Sequence, residues 1–202
     1  MTSTNDVMLE GIIVHKFVTP KIAILTINTG NATPEPNYPK VLFFGDFIKD
    51  IEMNYEVKDH VKVIGNIQSS RYKPGIKNQN TISIFGEGIE HAETAIKETF
   101  GVETTTSYYK FKNEIKISGK LIAIEKVYRN LIRLKVLTRK NDRISFVTLV
   151  YYTDEPDVIL NQFAKDDDVC VIGCVQTTKK ENNGETHYFE NYVANSIARA
   201  EG

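Results

Sequence analysis

Apolar and polar residues alternate with a period of two along most of this chain. In the run Val61, Lys62, Val63, Ile64, Gly65, Asn66, Ile67, Gln68, the first, third, fifth and seventh residues fall on one face and the others on the opposite one. That is the pattern of a strand with one side turned to a core, and it places Val61, Val63, Gly65 and Ile67 inward. Similar runs, rich in β-branched and aromatic residues and bounded by turn formers, predict strands over residues 8–18, 22–28, 40–45, 57–68 and 81–86. One segment breaks the period. Over residues 46–55, Phe47, Ile48 and Ile51 fall at helical spacing behind Asp46, a residue suited to an N-cap.

The same order returns further along, with strands over 115–126, 131–138, 143–153, 168–178 and 187–194 and a helix over 155–164. The run Val169, Cys170, Val171, Ile172, Gly173, Cys174, Val175, Gln176 repeats the first quoted run at a fixed offset in sequence number, 169 − 61 = 108. That offset also separates Gly11 from Gly119, Phe44 from Tyr152 and Ile89 from Ile197. One spacing held over so many positions implies duplication of a whole domain. Five strands with a lone helix between the third and fourth is the order of the OB-fold, a small Greek-key barrel. The expected fold is therefore all-β, as two tandem five-stranded OB-fold barrels, each with one helix between strands three and four. The boundaries are 1–90 for the first, 91–110 for a helix and linker, and 111–202 for the second. Gly11, Gly119, Gly65 and Gly173 suit tight bends or close backbone approaches, where a Cβ would obstruct. In strand two of the second unit, Ile132, Leu134 and Val136 alternate with Arg133, Lys135 and Leu137, so two cations point outward. Between the units, residues 90–100 carry Ala92, Ala95, Ile96 and Phe100 on one helical stripe, read as a short packing helix before a Thr-rich linker over 102–107.

Composition adds limits rather than a function. The chain has 202 residues, 41% of them hydrophobic, enough for two small domains. A net charge of −1 and a pI near 6.4 mean that any polyanion must be met by locally clustered Lys and Arg. Cys170 and Cys174 lie on one face of a strand, too far apart for a mutual disulfide, and read as filler in a half-buried strand. His15, His60, His91 and His187 are isolated, and no nucleophile, metal-ligand or cofactor motif accompanies them. The expectation is no enzyme, no metal and no cofactor. The short polar N-terminus is no signal peptide and no apolar run reaches bilayer length, which predicts an intracellular protein without a membrane partner.

The segment Val41-Leu42-Phe43-Phe44-Gly45, a helix with apolar positions, a Lys58-Asp59 turn and then Val61-Lys62-Val63-Ile64-Gly65-Asn66-Ile67 resembles bacterial single-stranded DNA-binding protein (SSB). In that family strand three ends in an apolar run closing with Phe-Gly, and strand four contains a V-x-V-x-G-x-L type pattern. The resemblance covers most of the first unit and, more faintly, the second. It implies that Phe44 stacks on a base. It also implies that Tyr72, the seventh position after Gly65, stands where the family places a stacking Trp in the loop joining strands four and five. Around Tyr72 stand Arg71, Lys73 and Lys77, cations suited to phosphates. Exposed aromatics stack on bases for roughly 1–3 kcal/mol each whatever the sequence, so such a site holds single strands without base-edge readout.

The second unit departs from this pattern. Lys180, beside Lys179, occupies the position that repeats Tyr72, so that loop has cations and no aromatic. Tyr152 replaces Phe44, and Tyr188, Phe189 and Tyr192 enrich strand five. Tyr128 and Arg129 join Arg133, Lys135, Arg139, Lys140 and Arg143 in a cationic cluster. The expected nucleic-acid-binding set therefore adds Tyr128, Arg129, Arg133, Lys135, Tyr152, Lys179, Lys180 and Tyr188, with the second unit leaning on phosphates.

Bacterial SSBs usually end in a Gly- and Pro-rich linker with an acidic tip that recruits replication and repair proteins, whereas this chain stops at Ala200-Glu201-Gly202 soon after its last strand. A phage- or plasmid-encoded form fits better, in a bacterial or phage-infected cytoplasm. Two OB-folds per chain also resemble two-domain SSBs that dimerise to present four barrels, which implies a homodimer. The expected function is sequence-tolerant single-stranded DNA binding in replication, recombination or transfer, with replication or recombination proteins as partners. Single-stranded RNA binding, or a tandem OB-fold scaffold that binds proteins, is the alternative.

Overall fold

The computed structural model describes residues 3–30, 37–69, 82–92, 111–182 and 185–200, with backbone alone at 180–182 and 185–187. The first strands are β1 (Asn5–Thr19), β2 (Ile22–Asn28) and β3 (Lys40–Phe43), followed by α1 (Phe47–Asn54), β4 (His60–Ser69) and β5 (Ile82–His91). Then come β6 (Asn113–Tyr128), β7 (Leu131–Lys140), β8 (Arg143–Tyr152), α2 (Pro156–Gln162), β9 (Asp168–Asn182) and β10 (Glu185–Arg199). The fold is mostly β.

β1 pairs antiparallel with both β2 and β4, β2 with β3 and β4 with β5, and a parallel β3–β5 ladder closes a five-stranded barrel. Its inside is filled by alternate residues, among them Leu9, Ile13, Leu25, Ile27, Val61, Val63 and Ile67, all fully buried, while α1 lays Ile51 against them. Each such side chain contributes roughly 1.5–3 kcal/mol by leaving water. The later strands pair in the matching way: β6 with β7 and β9, β7 with β8, β9 with β10, and β8 parallel to β10.

Gly11 and Gly119 lie so close to the neighbouring strand that a Cβ would overlap the Asn28 or Leu137 carbonyl oxygen. Gly65 and Gly173 stand the same way to the Phe85 and Val193 carbonyls. The alternation expected in β7 holds, with Ile132, Leu134 and Val136 buried and Arg133 outside.

Several expectations change, and strand three ends at Phe43 while β9 and β10 run longer than alternation predicts. Residues 57–59 form a turn rather than the start of a strand: Lys58 has a φ of 87°, and the Glu56 N–H donates to Asp59 Oδ2 at 2.7 Å. β5 runs on to His91 because β4 offers it a long edge, with Val63 opposite Ile89 and Val61 opposite His91, so residues 90 and 91 are strand rather than helix. Residues 93–110, which hold the rest of that expected helix and linker, lie outside the described residues. Asp46 makes no side-chain cap, since its own φ and ψ are already helical, and the Ile48 N–H bonds the Gly45 carbonyl instead. Asn66, expected on the solvent side of β4, is 6% exposed and donates to Glu87 Oε1 at 2.7 Å. Glu87 in turn accepts from Lys140 Nζ of the second half at 2.7 Å.

The halves are joined edge to edge. β1 pairs antiparallel with β6, Asn5 opposite Ile117, Val7 opposite Ile115 and Leu9 opposite Asn113. Val7 and Ile115 are themselves equivalent positions of the repeat, so each half meets its copy at the same point, and a local two-fold relation runs through that pair.

Candidate functional site

Immediately after β3, Phe44 is 44% exposed and lies nearly parallel to Phe85 of β5, ring centroids 5.3 Å apart at 17°. Over the other half of this pair stands Arg143 from the start of β8, its guanidinium carbon 5.4 Å from the Phe85 centroid. On β8 itself Phe146 is exposed, with Lys135 Nζ 5.4 Å from its ring. Phe44 and Phe146 thus present exposed ring surface close to positive charge.

The strands that carry these rings are locked to one another reciprocally. The Phe146 N–H donates to Ser69 Oγ at 3.1 Å, and the Tyr38 N–H donates to Thr177 Oγ1 at 2.9 Å. Phe146 repeats Tyr38, and Thr177 repeats Ser69, so each half holds the chain at the third strand of the other through one hydroxyl of its fourth.

Between the halves lies a groove of about 610 Å³. It is lined by pairs that the repeat relates: Lys40 with Thr148, Leu42 with Val150, Ile82 with Glu190, and Ser83 with Asn191. The outer faces of β3 and β8 thus converge on one channel near the local two-fold. Arg133, Tyr188, Phe189 and Tyr192 complete it. Tyr188 is exposed and meets Tyr38 edge-on, centroids 6.0 Å apart at 72°. Glu190 Oε1 accepts the Lys40 N–H at 2.7 Å, and Oε2 faces the Tyr192 hydroxyl at 3.5 Å. Burial holds the Glu190 carboxyl above its ordinary range, opposed by the Lys40 N–H and charge. Burial first, and the Glu190 carboxylate second, push the Tyr192 phenol well above its ordinary range.

The expected site residues divide four ways. Phe44, Arg133, Lys135 and Tyr188 stand on or beside the channel and its flanking rings, although Arg133 also pairs with Glu125 at 2.8 Å. Tyr128, 69% exposed, lies in register with Leu131, which lies opposite Tyr152, 57% exposed; both tyrosines therefore sit at one end of the β6–β7–β8 ladder, with Arg129 exposed in the adjoining turn. Lys179 is exposed on β9 with its backbone opposite Tyr188, and the Lys180 backbone lies opposite His187. Arg71, Tyr72, Lys73 and Lys77 lie outside the described residues. Sequence reasoning passed over Phe85, Phe146, Tyr38 and Glu190. Phe85 had a readable signal, since Gly86 follows it as Gly45 follows Phe44.

The structure is similar to the wild-type single-stranded DNA-binding protein from Thermus aquaticus, with a TM-score of 0.69 over 100% of this chain and 95% of that one, at 17% identity. A deletion mutant of that protein matches equally, at a TM-score of 0.69 and 16% identity over 100% of this chain and 96% of that one. The chain resembles the single-stranded DNA-binding proteins in fold. No family model matches the sequence, and no curated protein matches it. The similarity spans both halves of the chain. Among the described residues no cluster of His, Cys, Asp or Glu is arranged to hold a metal, and no helix is long and apolar enough to cross a membrane.

Proposed function

We propose that this protein binds single-stranded DNA with little sequence preference, in replication, recombination or transfer, and performs no catalysis. The reading treats the two strand rings as tandem OB-fold barrels, residues 1–90 and 111–202, that arose by duplication. What carries it is the Phe44–Phe85 pair of one half capped by Arg143 of the other, beside the Phe146–Lys135 pair. Rings for base faces and cations for phosphates are the two components of sequence-tolerant binding. They stand two positions along the chain from residues that line the channel, Phe44 from Leu42, Phe85 from Ser83, Lys135 from Arg133 and Phe146 from Thr148, which gives a strand a path across both halves. Tyr128, Arg129, Tyr152, Lys179, Lys180 and Tyr188 extend that path on the second half, and Arg71, Tyr72, Lys73 and Lys77 supply the loop of the first.

The resemblance to SSBs brings further elements: a bacterial or phage-infected cytoplasm, a phage- or plasmid-type source, replication or recombination partners, and a homodimer, which sedimentation as a monomer at micromolar concentration would remove. At a few to sixteen nucleotides per barrel, one chain covers on the order of 10–30 nucleotides. The test is titration with oligo-dT, followed by quenching of tyrosine fluorescence, against a duplex and a matched RNA. Binding to oligo-dT should dominate and weaken with salt, at a slope of about −0.7 per phosphate neutralised. Equal affinity for duplex and oligo-dT refutes the reading, and stronger binding of the RNA transfers the site to that polymer.

A further inference from the structure

The inter-half groove contains a carboxylate where a polyanion channel would be expected to carry only cations. Glu190 lines it with Oε1 bonded to the Lys40 N–H at 2.7 Å, while among the described residues Oε2 meets the Tyr192 hydroxyl at 3.5 Å, beyond a strong hydrogen bond. A carboxylate accepts up to about four hydrogen bonds, so acceptor capacity on both oxygens remains open to the groove. Desolvation of this carboxyl, already visible in its raised titration range, makes donors opposite it more valuable than in water. A phosphate above it would be repelled. A base edge carrying N–H groups would be held.

Two residues earlier on the same strand stands Tyr188, about 7 Å away along β10. Its exposed ring is braced edge-on by Tyr38 at 6.0 Å. Tyr188 and Glu190, two apart on one strand, share a face and line the same groove, so a base stacked on Tyr188 has the carboxylate within reach of its edge. The bases differ in what that edge presents. Guanine offers two adjacent donors, N1–H and the 2-amino group, which match the two oxygens of one carboxylate. Cytosine and adenine offer one amine beside an acceptor. Thymine offers one N–H between two carbonyls, whose oxygens face the carboxylate unfavourably.

Resting on the single-stranded DNA reading above, we propose that Glu190 and Tyr188 form a base-selective subsite in the groove between the halves, which prefers guanine and disfavours thymine. The protein is then sequence-tolerant along most of its path and selective at one position. A bidentate pair of this kind discriminates by about tenfold against the wrong base.

The experiment uses the full chain and three oligonucleotides of equal length, in lithium buffer to keep guanines from associating: oligo-dT, a repeat of two thymidines and one deoxyguanosine, and the same repeat with deoxyinosine, which lacks the 2-amino group. The expected result is about tenfold tighter binding of the guanine repeat than of oligo-dT, with the inosine repeat losing most of that advantage. In Glu190→Gln the ratio between guanine repeat and oligo-dT should collapse toward one, whatever the absolute affinities. Equal wild-type affinities for all three oligonucleotides overturn the subsite while leaving single-strand binding intact. A preference that survives Glu190→Gln overturns the role of the carboxylate. Binding of none of the three overturns both readings, and the wild-type comparison decides even if the variant does not fold.

Discussion

Asn5 and Asn113, equivalent positions of the repeat, make the same two hydrogen bonds, each replacing a peptide group with a side-chain amide. Asn5 Nδ2 donates to the Ile67 carbonyl at 2.7 Å and Asn5 Oδ1 accepts the Ile67 N–H at 2.9 Å. Asn113 does so with Val175 at 2.8 and 2.9 Å. Both sit where β1 or β6 leaves its barrel partner to pair with the other half, and the amide continues the ladder that the backbone abandons. Ile67 is fully buried and Asn5 is 2% exposed, so water cannot replace the lost partner. Asn5→Ala should therefore destabilise by about 2–6 kcal/mol, as two buried groups go unsatisfied at about 1–3 kcal/mol each. Asn113→Ala should lose less, since Asn113 is only half-buried. Urea unfolding of the two variants checks the order.

Replacing Phe44 or Phe85 by Ala should weaken oligo-dT binding by about 1–3 kcal/mol, the worth of one stacked base. For Phe44→Ala the folded stability should hardly change, because its ring is 44% exposed. Arg143→Ala should weaken binding and make the salt slope shallower. Affinity unchanged in all three would place the site elsewhere on the surface.

A Cβ at Gly65 or Gly173 meets a backbone carbonyl rather than a side chain that can swing away. Gly65→Ala and Gly173→Ala should each destabilise by about 1–3 kcal/mol or more. Gly88→Ala, with nothing within 4 Å of the added carbon, serves as the control. Thermal melts of the three should separate it from the others.

The Glu190 carboxyl sits above its ordinary value of 4.5 in the folded protein, chiefly through desolvation. The folded state therefore keeps this proton to higher pH than the unfolded chain does. The stability tied to it is fully present below the unfolded value and is lost as pH rises through the folded one. Glu190→Gln should remove that loss, so its stability relative to wild type improves as pH is raised from acid to neutral. Parallel urea midpoints at acid and neutral pH read the difference. A wild type and variant that move together with pH would contradict it.

Much of the strand layout was legible in the residues themselves. β2 begins and ends where alternation and its flanking turn formers place it, at Ile22 and Asn28. β5 extends beyond the stretch that alternation predicts, because Gly86 and Gly88 resemble a strand end and the facing edge of β4 keeps the chain extended as far as His91. At the site, Phe44 was legible through Phe-Gly at the end of an apolar run. Phe85, Phe146 and Tyr38 were not, because period-two alternation assigns a ring to the outer face without saying what lies opposite that face. Glu190 was hidden for the same reason: a lone Glu between aromatic residues looks like an ordinary strand position until Lys40, far away in the other half, donates to it.

By itself the sequence determined where the chain extends, where it bends, which side of most strands enters a core, and that one plan is used twice at a constant offset. These properties reside in neighbouring residues and in local sterics, so alternation, turn formers and glycines disclose them. Tertiary structure alone decided that the halves meet through β1 and β6 with Val7 opposite Ile115, and that one groove lies between them. That arrangement depends on bonds between groups far apart along the chain: the amides of Asn5 and Asn113, the hydroxyls of Ser69 and Thr177, and the carboxylate of Glu190. Each is an ordinary polar residue in sequence and gains its role only when the fold brings a distant backbone group to it as a partner.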